Sequence, residues 1–148
     1  MTLKHPYSEV DFNVTAAFCL GGFNIYDREE SLGEYLDQFD PNDYEQLSIL
    51  LDERLFESRM KNGYLPEHKK VIMNVLKEAL IDEDYDFEAI LQDDDDHYFC
   101  LPWDWIIENP RGFFEFVYLK MYEKWAELIV ADGLTVTKPE EISSIANN

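Results

Sequence analysis

The chain has 148 residues and sets 12 lysines and arginines against 32 aspartates and glutamates, a formal charge of -20. That length is one domain's worth, and a hydrophobic share of 46% excludes disorder as the main state. So acidic a surface is repelled by phosphate backbones and anionic lipid, which leaves a basic protein as the expected partner, with no direct nucleic acid and no membrane.

Two cysteines, Cys19 and Cys100, each lie among apolar residues. A pair this sparse is no disulfide framework, and both read as buried thiols. The N-terminus, Met1-Thr2-Leu3-Lys4-His5, lacks the basic start and apolar run of a signal peptide. The longest uncharged stretch, 12–26, is too short and too polar to span a bilayer. The expected location is the cytoplasm.

In chain order, residues 8–20 fit both a strand, through alternating Val10, Phe12, Val14, Ala16 and Phe18, and a helical face. Helix is the expectation, because everything downstream is helical, with Gly21-Gly22 as its stop. Residues 28–39 predict a short amphipathic helix with Leu32, Tyr35, Leu36 and Phe39 on one side. Asp40-Pro41 supplies an N-cap and a first-turn proline for a long helix carrying Tyr44, Leu47, Leu51 and Leu55, ended by Asn62-Gly63. Pro66 opens the next, with Ile72, Val75, Leu76, Ala79 and Leu80 inward. Residues 82–92 predict a short helix bearing Tyr85, Phe87, Ile90 and Leu91. Asp93, Asp94, Asp95 and Asp96 repel one another too strongly for a regular element. An aromatic piece follows over 98–107, with a helix start at Pro102.

Asn109-Pro110 then starts the last long helix, with Phe113, Phe114, Val117, Met121, Trp125, Leu128 and Ile129 inward and Gly133 as its stop. Residues 134–148 read as a polar tail with a half-turn at Pro139-Glu140-Glu141, fraying at Asn147-Asn148. Without repeats or a linker, residues 1–148 are expected to form a single compact all-α domain of five to seven helices with short loops.

The charge is uneven: residues 1–74 carry 14 acids and 7 bases, residues 75–148 carry 18 acids and 5 bases. Between Lys77 and Arg111 stand 12 acids and no base. An ordinary solvated helix interleaves both signs to gain pairs at four-residue spacing. This stretch forgoes them and intersperses aromatics. Acidic rims around aromatic anchors suit the gripping of a basic protein, the rings giving contact area and the carboxylates steering encounter. The candidate partner-binding residues are Asp82, Glu83, Asp84, Tyr85, Asp86, Asp93, Asp94, Asp95, Asp96, Tyr98, Trp103 and Trp105. Two tryptophans one residue apart rarely both fit inward, so one of Trp103 and Trp105 is expected at the surface.

Other chemistries fit poorly. A calcium loop starting at Asp82 would place Phe87 where the turn wants glycine and Asp93 where a bidentate glutamate belongs; one starting at Asp93 places Tyr98 at the glycine position. His97 and Cys100 lack the second ligand pair that structural zinc needs. No serine sits in a nucleophile elbow, and no glycine-rich loop could cradle phosphate. The expectation is a non-enzyme without metal or cofactor.

The segments Leu101-Pro102-Trp103-Asp104-Trp105 and Glu108-Asn109-Pro110-Arg111-Gly112-Phe113-Phe114, with the helix through Lys120-Met121-Tyr122-Glu123-Lys124-Trp125, cover under a fifth of the chain. In these and in its acidity the protein resembles the immunity proteins of bacterial polymorphic toxin and contact-dependent inhibition systems. That resemblance implies a tight one-to-one inhibitor of a toxin domain, often a basic nuclease; it carries over no binding residue. The alternative is a DNA-mimicking anti-restriction or anti-defence protein, with its acids along one elongated face. A third possibility is an enzyme with a deep, carboxylate-lined pocket assembled only in three dimensions.

Overall fold

The computed structural model describes residues 3–142. Those residues form the all-α fold expected: helices and turns, no strand, and two isolated antiparallel bridges, Lys4 with Asp11 and Asp94 with Phe99. The α-helices are α1 (Glu34–Leu36), α2 (Tyr44–Leu51), α3 (Pro66–Ile81) and α4 (Pro110–Ala131). Wider turns of π-helical spacing lead into α1 over Glu29–Gly33 and extend α2 over Asp52–Arg59.

The long helices form where the sequence signals them. Pro66 occupies the first turn of α3, and His68 Nδ1 accepts from Leu65 N–H at 2.9 Å. Asn109 caps α4 by accepting from Gly112 N–H at 3.0 Å, with Pro110 behind it. The two helices pack along one another. Ile72, Met73, Leu76 and Leu80 from α3 and Phe113, Phe114, Val117, Met121, Trp125 and Ile129 from α4 are all buried. Leu128, expected inward, is exposed: Ile129 takes the place four residues after Trp125, and Leu128 lies one helical step, about 100°, away from it. Val75 is half-buried for the same reason, with Ile72 and Leu76 closer to the centre of the face. Gly133, at φ +84, ends α4.

Elsewhere the structure departs locally from expectation. Residues 8–15 form no helix. Ser8 Oγ accepts from Val10 N–H at 2.9 Å, Lys4 pairs with Asp11, and Phe12 N–H donates to Leu3 O at 2.8 Å, so this stretch folds back on the N-terminus. A 3₁₀ helix then runs over Ala16–Phe23, capped by Thr15. Gly21-Gly22 lies inside it and does not stop it. A Cβ on Gly22 would stand 2.5 Å from the Arg54 carbonyl oxygen, and Arg54 Nε donates to Gly22 O at 3.0 Å. Gly22→Ala is therefore expected to destabilise the fold by about 1–3 kcal/mol, read as a lower midpoint in urea.

The cap of α2 is Asp43, which accepts from Glu45 N–H at 3.0 Å; Asp40 instead accepts from Asn42 N–H at 2.9 Å in the preceding turn. Residues 82–92 are bends ending in a 3₁₀ turn, Ala89–Leu91. Aspartate side chains there bond local amides and compete with the helical pattern: Asp84 N–H donates to Asp82 Oδ1 at 2.9 Å and Ala89 N–H to Asp86 Oδ1 at 3.1 Å. Pro102 starts no helix; one turn closes there, Trp105 N–H to Pro102 O at 3.0 Å.

The expected polar tail is packed as far as it is described. Tyr118 donates to Thr137 O at 2.6 Å, Lys70 bonds Thr135, and Ile142 is buried, with the half-turn Pro139–Glu141 as expected. Fraying at Asn147-Asn148 falls outside the described residues.

His68 locks the folded-back N-terminus to α3. Because its Nδ1 accepts from Leu65, its Nε2 carries the proton and donates to Lys4 O at 2.6 Å, while the ring meets Phe12 edge-on at 4.8 Å. Removing this buried ring takes away both hydrogen bonds and opens a gap beside Phe12. His68→Ala is expected to cost about 2–4 kcal/mol and to speed amide hydrogen exchange at Phe12 first.

Candidate functional site

The base-free run begins in the last turn of α3, and the first base after it turns back to hold it. Arg111 donates to Leu80 O at 3.0 Å, Asp82 O at 2.9 Å and Glu83 O at 3.5 Å, its guanidinium 4.9 Å above the Phe87 ring. These carbonyls lie at and beyond the helix end, where no further helical turn can pair them. The arginine so placed fixes the bend that carries Asp82, Glu83, Asp84 and Asp86, all exposed. Tyr85, a candidate anchor, is half-buried with its ring 4.7 Å from that of Phe87, so much of its area already serves the fold.

The aspartate run does form an ordered turn, a 3₁₀ piece over Asp95–His97, because local partners offset its repulsion. Asp94 accepts from Asp96 N–H at 3.1 Å and from the His97 imidazole at 2.8 Å, and it pairs with Phe99 through two backbone bonds. The His97 hydrogen bond, first, holds the Asp94 carboxyl below the usual carboxylate range. A lowered folded value stabilises the turn above the ordinary carboxylate pKa, and that contribution is lost as pH falls through the lowered value. His97→Ala is expected to return the Asp94 titration toward that of an ordinary aspartate, read by carboxyl-carbon NMR; an unchanged titration would contradict the pairing.

Asn24 staples this turn to the opposite side of the site. Its side chain donates to Tyr98 O at 2.9 Å and accepts from Tyr26 N–H at 3.1 Å and Cys100 N–H at 3.0 Å. Tyr98, at φ 55, stands 67% exposed with its ring edge-on to Tyr26 at 5.4 Å. Cys19 and Cys100 are both buried thiols, as expected. Burial, then the charge of Asp93, push the Cys100 thiol up, which keeps it protonated and a poor nucleophile near neutral pH.

The two tryptophans part company, as their spacing predicts. Trp105 is half-buried against Phe23 at 5.3 Å and donates its indole N–H to Leu36 O at 3.0 Å, so it joins the fold. Trp103 is 70% exposed and Ile106 74% exposed. The backbone around them is nevertheless held: Trp105 N–H to Pro102 O at 3.0 Å closes the turn that carries Trp103, and Asn42 donates to Ile106 O at 2.6 Å and accepts from Glu108 N–H at 2.9 Å. An apolar pair displayed on a pinned backbone loses little entropy when covered.

Trp103 borders two grooves. One, about 450 Å³, is shared with Glu88, Asp93, Pro102 and Ile106; the other, about 610 Å³, with Asp27, Glu29 and Glu30. The structure thus brings Asp93, Trp103 and Trp105 along one groove and adds three acids from a distant part of the chain. Arg28 lines this second groove with the three acids, and its guanidinium donates to Asn24 O at 2.7 Å. Asp27, Glu29, Glu30 and Tyr26 escape sequence reasoning, because nothing local marks contacts made between distant parts of the chain.

No group of three or more histidine, cysteine or acidic side chains is placed to hold a metal ion among the described residues, and no helix there is long and apolar enough to cross a membrane. Set against known protein families, curated proteins and solved structures, the chain matches none.

Proposed function

We propose that this protein is a non-enzymatic binding inhibitor that acts in the cytoplasm, of the immunity-protein kind. It would neutralise a basic toxin domain by covering the surface that the toxin uses on its own substrate. The observation that carries the reading is the exposed Trp103–Ile106 pair on a pinned backbone, with Asp27, Glu29 and Glu30 lining one groove beside Trp103 and Glu88 and Asp93 the other. An aromatic in that setting gives apolar contact area at the centre of an interface, and the acids draw in a cationic partner and reject anionic ones. A DNA mimic needs phosphate-like charge rather than a displayed apolar centre, which favours the single-partner reading.

The test uses the full chain as bait in a native lysate of its source cells, with Trp103→Ala in parallel. One basic protein is expected to be retained by the wild type and lost by the variant. That protein should be toxic when expressed alone and harmless with the wild-type inhibitor. Retention by both forms, or a captured protein without toxicity, would overturn the proposal.

A further inference from the structure

A groove larger than either of those beside Trp103 lies between the 3₁₀ helix Ala16–Phe23 and the segment 89–99, and it measures about 640 Å³. Ala17, Leu20, Ala89, Ile90 and Phe99 give it apolar walls, and Asp93 and Asp94 belong to its lining. The one other titratable group lining it is His97, which is engaged with Asp94. The groove is therefore mostly apolar with two carboxylates in its lining, within the size range of sites that seat a ligand or a peptide segment. Gln92 and Asp93 also line the Trp103 groove, so the two grooves meet along one ridge.

We propose that this groove seats an aliphatic side chain of the basic partner, whose neighbouring lysine or arginine crosses the ridge and pairs with Asp93. The inference rests on the proposed function and names the element recognised: an apolar residue next to a cationic one, in a segment that continues toward Trp103. Charge selects the occupant. A second copy of this chain, itself at -20, is repelled, and an uncharged apolar segment leaves the Asp93 carboxylate unpaired. The arrangement also supplies what Trp103 alone cannot, because a stable interface covers about 800 Å² on each partner and a single displayed side chain is a small part of that.

The test is a methyl and amide NMR titration of the full chain with acetyl-leucyl-lysine amide, against acetyl-seryl-lysine amide and acetyl-leucyl-serine amide. The leucyl-lysine probe is expected to shift the Ala17, Leu20 and Ile90 methyl signals and to bind more tightly than either control. Asp93→Asn, at an exposed position, should weaken it by about two- to fivefold, and added salt should do the same. Equal binding of the seryl-lysine probe would show general charge attraction, and equal binding of the leucyl-serine probe a site indifferent to charge. Either result, or no shift at these methyls, overturns the inference. The proposed function fails separately: if the groove stays silent while Trp103→Ala still abolishes partner capture, that function stands and this inference does not. If the groove binds the probe while Trp103→Ala leaves capture intact, the groove assignment stands and the proposed function falls.

Discussion

Replacing Phe114 with alanine is expected to lower the unfolding free energy by about 3–5 kcal/mol, the range for deleting a buried aromatic ring. Phe114 is fully buried on α4, stacked on Phe87 at 4.9 Å and edge-on to Phe113 at 5.1 Å. Phe87 in turn lies beneath Arg111 and beside Tyr85. The lost ring would leave a cavity at the joint between α4 and the acidic bend, so the damage should reach the bend as well as the core. Urea denaturation measures the energy. Amide exchange at residues 82–87 shows whether the bend loosens before global unfolding. Phe114→Leu should recover part of the loss by refilling the space, and a cost below about 1 kcal/mol for the alanine variant would mean that the ring is not a keystone there.

Trp103→Ala is expected to do the opposite: leave stability within about 0.5 kcal/mol and cut partner affinity by about thirtyfold or more. The indole is 70% exposed, so the free protein loses little packing, whereas an interface that covers it loses its largest apolar contact. Trp105→Ala supplies the contrast. It removes the bond to Leu36 O and the contact with Phe23, so its effect should appear first as lost stability. Thermal unfolding of the two variants beside calorimetric titration with the captured partner separates the roles. A destabilised Trp103→Ala, or one that binds at wild-type strength, would place the anchor elsewhere.

The long helices are legible in the sequence because their signals are local. Pro66 and Asn109-Pro110 mark starts, Gly133 marks an end, and three- to four-residue apolar spacing sets the buried faces. The short pieces are not, because side-chain hydrogen bonding decides them. Asp82 and Asp86 draw amides out of a helical pattern, and Asp94 organises a turn that charge counting alone forbids. The tail misleads for another reason. Residues 134–142 are mostly polar, yet Lys70 and Tyr118 hold their backbone and Ile142 is buried.

The candidate site is half legible. Of its acids beside Trp103, only Asp93 is a candidate marked by the charge run; that and the surfacing of one tryptophan follow from composition and spacing. The distinction between Trp103 and Trp105 depends on where Leu36 O and Phe23 sit, which is tertiary information. Asp27, Glu29 and Glu30 reach Trp103 only because Asn24 and Ile25 are tied by hydrogen bonds to Tyr98 and Cys100.

The most direct measurement is the stopped-flow association rate with the captured partner, for the wild type and for the combined variant Glu29→Gln, Glu30→Gln, Asp93→Asn, across rising salt. With carboxylates steering a cationic surface onto Trp103, the wild-type rate falls steeply with ionic strength, by about tenfold or more. The variant starts slower and responds less. Equal rates and equal salt slopes for the two proteins would contradict the account.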